Sequence, residues 1–311
     1  MINYKKLLVV IDPTTEQQKA LKRAVLIAGK TGASITAFLS IYDFSYEMTT
    51  MLSVDERETM RQAVVDDRTE WLTELLSEQI DDPSLAVDAK VVWHNRPFES
   101  IIYETIEQQY DLIIKGTHQH SGLKSVIFTP TDWHLMRKAP VPVLLVKEHD
   151  WPEQGQILAA VNVGSVDTEH ASLNQKVTHT ALDFARTLNG QVNLVNSYPG
   201  TPVNIAIEIP EFDPASFNQS VKNHHIDAMK TFASTHGIDM THCYVREGLP
   251  EDVIPTVAEK LDAELVVIGT VGRHGISAAL IGNTAEHVID MLDCDVLTVK
   301  PDGFVSPLQQ K

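Results

Sequence analysis

Apolar residues run along this chain in two alternating rhythms. Residues 6–11 form a near-continuous apolar run, the pattern of a strand covered on both faces, and residues 17–30 then place Ala20, Leu21, Ala24, Ile27 and Ala28 at helical spacing. A strand over 34–41 follows the turn Thr31-Gly32-Ala33, and the segment 55–79 carries Met60, Val64, Trp71, Leu72, Leu75 and Leu76 on one helical stripe. The pattern next predicts a strand over 86–93, a helix over 97–109, a strand over 112–115, a helix over 131–138 and a strand over 141–146. After a short linker, 147–156, the order repeats. Strands fall at 157–161, 191–196, 240–245, 265–268 and 296–299, and helices at 176–187, 219–236, 250–260 and 283–291. Alternating strands and helices imply a parallel sheet with helices on both faces and ligands at the carboxyl ends of the strands. The tail 302–311, with Pro301 and Pro307 as breaks, reads as loosely ordered.

The repetition extends to the residues themselves. Asp111-Leu112-Ile113-Ile114-Lys115-Gly116-Thr117 is echoed by Glu264-Leu265-Val266-Val267-Ile268-Gly269-Thr270 (264 − 111 = 153), and Val143-Leu144-Leu145-Val146-Lys147 by Val296-Leu297-Thr298-Val299-Lys300 at the same spacing. Ten of the 37 positions from 111 to 147 are identical to their counterparts, and the match needs no gap. A period this long is a whole domain rather than a solenoid repeat. Two domains are therefore expected, 1–150 and 151–311, each able to bury its own core.

Charge and composition then remove several classes of function. A formal net charge of −17 opposes approach to phosphate backbones and anionic membrane surfaces, so neither nucleic acid nor membrane is expected as a partner. No apolar run reaches the roughly 18 residues of a membrane span, and the first apolar run ends in Asp12-Pro13 without a cleavage site, so a cytoplasmic protein is expected. Cys243 and Cys294 are the two cysteines and read as free thiols.

Candidate chemistry concentrates in one glycine pattern. Gly269-Thr270-Val271-Gly272 leaves a strand, and Gly282-Asn283-Thr284 opens a helix after nine intervening residues. Glycines at a strand exit let backbone approach a phosphate or ribose, and free amides at a helix N-terminus attract anions. The same glycines also serve tight strand-to-helix turns.

The pattern G-x2-G-x9-G-[S/T] in a five-stranded α/β unit resembles the nucleotide signature of the universal stress protein family. The resemblance spans residues 3–301 and includes Leu8-Val9-Val10-Ile11-Asp12, the paired strands at 111–114 and 264–267, and Pro142-Val143-Leu144-Leu145-Val146. It implies two tandem Rossmann-like domains paired as an internal pseudo-dimer through their last strands, and a stress-response protein without an established reaction, in a family where some members bind ATP. It also implies a contribution to stress tolerance, DNA damage included, and allows a homodimer. Carried over residue by residue, adenosine contacts fall on Val161, Asn162 and Ser197, and ribose and phosphate contacts on Ile268, Gly269, Gly272, Gly282, Asn283 and Thr284. Asn162 stands where the family usually has Asp, and Asn283 where it has Ser or Thr. The first half keeps Asp12 but carries Gln119 in place of the second glycine and Thr129-Pro130 in place of the third with its partner. Proline has no amide hydrogen to offer a phosphate, so an adenine nucleotide (ATP, ADP or AMP) is expected in the second half alone.

Competing chemistry is thin. His118 and His120 lack the spacing of helical zinc pairs, and His224-His225, adjacent on a helix, point apart. His134 and His287 are equivalent in the repeat. No G-x-S-x-G elbow or G-x4-G-K-[S/T] loop is present, so catalysis, including ATP hydrolysis, receives little support. Residues 198–217, apolar and broken by Pro199, Pro202, Pro210 and Pro214, read as a lid on their own domain or as the mouth for a partly apolar metabolite or lipid precursor.

Overall fold

The computed structural model describes residues 4–47, 52–119, 126–165, 168–200, 213–270 and 283–309. They divide into two compact units, one of residues 4–119, 127–147 and 305–309, the other within 148–304. In the first unit, strands β1 (Lys6–Val10), β2 (Ser34–Ile41), β3 (Val87–Trp93), β4 (Leu112–Gly116) and β5 (Val143–Val146) lie in the order β5-β4-β1-β2-β3, each neighbouring pair parallel. In the second, β6 (Gln156–Ala160), β7 (Gln191–Tyr198), β8 (Cys243–Glu247), β9 (Ala263–Gly269) and β10 (Asp295–Val299) repeat that order as β10-β9-β6-β7-β8, again parallel. Central strands are buried on both faces, as their unbroken apolar runs require. Leu7, Leu8, Ile113, Ile114, Leu158, Val266 and Val267 are inaccessible to solvent.

Helices α1 (Lys19–Thr31), α2 (Val54–Gln79), α3 (Pro97–Gln108) and α4 (Pro130–Lys138) belong to the first unit, and α5 (Thr168–Leu188), α6 (Pro214–Thr235), α7 (Pro250–Leu261) and α8 (Asn283–Met291) to the second. Helix α2 opens on a capping box in which the Ser53 side chain accepts from the Glu56 amide while Glu56 accepts from Ser53. Only its last turns are buried, through Leu72, Leu75 and Leu76; Met60, expected on the same stripe, is exposed.

The acid that opens each repeated strand has a mechanical role. Asp111 Oδ2 accepts from the amides of Lys5 and Lys6 at 2.7 and 3.0 Å, and Glu264 accepts from the Gln156 amide, so each carboxylate ties down the start of the neighbouring first strand. The tail departs from expectation. Ser306 is inaccessible and Leu308 nearly so, with the Gln309 amide donating to the Ser306 carbonyl, so this stretch is packed rather than loose.

Candidate functional site

The loops that leave β6, β7 and β9 in the second unit open around a cavity of about 510 Å³. Each wall has a local cause. The residue two beyond the end of β6, Asn162, is held by the side chain of Asn174 on α5: its amide donates to Asn174 Oδ1 and its carbonyl accepts from Asn174 Nδ2, both at 2.9 Å. Gln18 does the same for Asp12 in the first unit, at 3.0 and 2.7 Å, so the two strand exits share one device with different amides. Along α5, His170, Leu173, Asn174 and Val177 recur at helical spacing and present one face to the cavity.

Val161, Asn162, Ser197, Ile268 and Gly269, five of the expected site residues, line this cavity together. Asn283 and Thr284 begin α8, whose Ala285 and Val288 also line it. Gly272 and Gly282 lie outside the described residues, as do 201–212 of the expected lid and His120. Sequence reasoning passed over Leu173 and Asn174, and took His225 only as one of an adjacent histidine pair, because their place on the wall depends on how α5 and α6 pack.

His225 carries the sharpest electrostatics of the site. Asn196 Oδ1 accepts from the Val163 amide at 3.0 Å, which turns Asn196 Nδ2 toward His225 Nδ1, also at 3.0 Å. The imidazole stacks on Tyr198 with centroids 5.1 Å apart and planes inclined by 24°, and its edge lies so close to Gly164 that no Cβ fits there. Burial, and then the neighbouring His224, hold its pKa below the ordinary histidine range. Among the described residues no group of three or more His, Cys, Asp or Glu is placed to hold a metal ion.

Gly269 is small for a reason other than a ligand. A Cβ on it would lie 2.6 Å from Leu173 Cδ2 and 2.7 Å from Leu173 Cγ, so on that side the space left by glycine is taken by leucine. In the first unit the counterpart Gly116 is approached by the Lys19 side chain, 3.1 Å from where its Cβ would stand.

A larger contrast stands at two further equivalent positions. Lys115 and Asp132, the counterparts of Ile268 and Ala285, form a buried ion pair at 2.8 Å, with the lysine also donating to the Gly116 carbonyl at 3.0 Å. Asp132 additionally completes the capping box of α4, accepting from the amide of the N-cap Thr129 at 2.7 Å. Where the second unit has two apolar cavity walls, the first has two mutually neutralised charges.

The sequence model of one family, the universal stress protein family, matches residues 3–147 and again 163–300. The chain belongs to the universal stress protein family. Universal stress protein E of Escherichia coli strain K12 is 51% identical over 310 residues, covering 99% of this chain and 98% of that protein. The Haemophilus influenzae homolog of universal stress protein E is 43% identical, covering 96% and 98%. A putative universal stress protein from Pseudomonas aeruginosa UCBPP-PA14 has a solved structure that superposes with a TM-score of 0.73 at 34% identity, covering 99% and 97%. A universal stress protein from Archaeoglobus fulgidus, at 14% identity and a TM-score of 0.65, shares the fold. Universal stress protein domains thus occur in tandem here, and the two differ at positions where the second has its cavity.

Proposed function

We propose that this tandem universal stress protein is a non-catalytic, ligand-responsive module that binds an adenine nucleotide (ATP, ADP or AMP) in its second domain and contributes to tolerance of cellular stress, DNA damage included. The observation that carries this reading is the convergence of Val161, Asn162, Ser197, Ile268 and Gly269 on one cavity. Its volume, about 510 Å³, lies in the range of small-molecule sites, and its polar groups are few. The domain limits that go with the reading are 1–150 and 151–311, and its setting is the cytoplasm. No helix among the described residues is long and apolar enough to cross a membrane. Titration calorimetry of the full chain with ATP, ADP, AMP and adenosine tests the reading: saturable heat is expected, and none at millimolar ligand would remove it. Phosphate release from ATP no faster with the wild type than with Gly269→Glu is expected of a non-catalytic binder.

A second reading, a carrier of a partly apolar metabolite or lipid precursor, is favoured by two particulars. Ala160, Val177, Val195, Leu249 and Ile254 make much of the wall apolar, and Leu173 occupies the room beside Gly269. Mass spectrometry of compounds extracted from the purified protein separates the two, an apolar metabolite recovered in stoichiometric amount favouring the carrier.

A further inference from the structure

We propose that His225 is the specificity-determining residue of the second-domain cavity, reading a hydrogen-bond acceptor on a neutral, largely apolar ligand group, such as a nucleobase, through its Nε2–H. The inference rests on the reading of this cavity as an adenine site and adds to it the group that selects the ligand.

The proton can be placed from the neighbours. The Val163 amide donates to Asn196 Oδ1, so the other end of that side chain, the Nδ2 donor, faces the imidazole at 3.0 Å. His225 Nδ1 must then accept, which puts the ring proton on Nε2. Among the described residues Nε2 has no hydrogen-bond partner, and His225 is part of the cavity wall. Tyr198 on one face and Gly164 at the edge hold the ring in place, so the donor is oriented before a ligand arrives. The described residues lining the cavity include no Asp, Glu, Lys or Arg. A described wall that is mainly apolar, with this oriented donor on it, favours a neutral group carrying an acceptor over a bare charge, which would lose its hydration without compensation.

Calorimetry of the full chain with adenosine compares the wild type with His225→Gln and His225→Met, two side chains of similar length of which only glutamine keeps a terminal N–H donor. His225→Met is expected to weaken binding about tenfold, as the loss of one neutral hydrogen bond does, while His225→Gln stays within about threefold of wild type. Adenosine analogues with carbon at N1, N3 or N7 complete the test. One of the three should lose about tenfold against the wild type and nothing further against His225→Met. Equal affinity of wild type and His225→Met would overturn the role of His225 alone, and so would His225→Gln as weak as His225→Met in a protein with unchanged circular dichroism. Absence of adenosine binding to the wild type would overturn the adenine site itself and this inference with it.

Discussion

Gly269 and Leu173 show how one residue can carry two meanings. A glycine at a strand exit reads in the sequence as room for a phosphate, yet its near side is filled by a leucine from α5. Gly269→Ala is accordingly expected to destabilise the second domain by about 1–3 kcal/mol through overpacking, and to be close to neutral when placed in a Leu173→Ala background. Urea denaturation of the four proteins measures that coupling. His225 yields a pH prediction of definite sign. Its depressed pKa arises mainly from burial and secondarily from His224; Tyr198 stacks on it, Arg246 and Glu247 flank that tyrosine, and His170 lies on the same cavity wall. The neutral form is the one the fold accommodates, so its contribution to stability is complete above the ordinary histidine pKa of about 6.5 and is lost as pH falls through the lower folded value. An imidazole Cε1–H resonance titrating below those of exposed histidines is the expected signature, and a midpoint at or above about 6.5 would contradict it. Val161, Asn162 and Ser197 came to notice through the family resemblance, which carries adenosine contacts onto the ends of the first two strands of the second unit, and all three line the cavity. His225 was not legible, since its adjacency to His224 argued only against a shared ligand and left open which ring faces the wall.

At the scale of elements, strands were read within one to three residues because burial on both faces leaves a continuous apolar signature. Two helix starts were harder. Helix α5 begins at Thr168 rather than 176, because its first turns carry His170 and Asn174, whose partners are the cavity and a loop backbone rather than the core. Helix α6 begins at Pro214 rather than 219: the Asp213 carboxylate accepts from the Ala215 and Ser216 amides, a capping signal hidden inside a stretch dominated by prolines. The strand expected over 240–245 opens instead with a tight helical turn, Met240–His242, capped by Asp239, and β8 starts at Cys243. Spacing in the chain could not reveal the Asn174 and Gln18 clamps, which join a helix to the loop before it. Replacing either amide by leucine removes two hydrogen bonds to part-buried backbone and should cost about 1 kcal/mol, read as a lowered denaturation midpoint. Only Asn174→Leu should also weaken adenosine binding, and an equal loss of binding with Gln18→Leu would refute the assignment of the site to the second domain.

For the molecule as a whole, the repeat made the fold of each half readable from the other, and the same comparison locates their divergence at Lys115–Asp132 against Ile268 and Ala285. Removing one member of this buried pair, as in Asp132→Ala, should cost about 3–5 kcal/mol, because the lysine is left charged in the interior. Changing both, as in Lys115→Ile with Asp132→Ala, should recover most of that loss, and thermal melts of the single and double variants decide it. The pair has a historical corollary. A lineage carrying it cannot reach the second domain's two apolar residues at these positions by one substitution without passing through a chain that strands an ion in its interior. The pair therefore acts as a ratchet on these two positions, which can change only together, whereas their apolar counterparts in the other copy can vary one at a time.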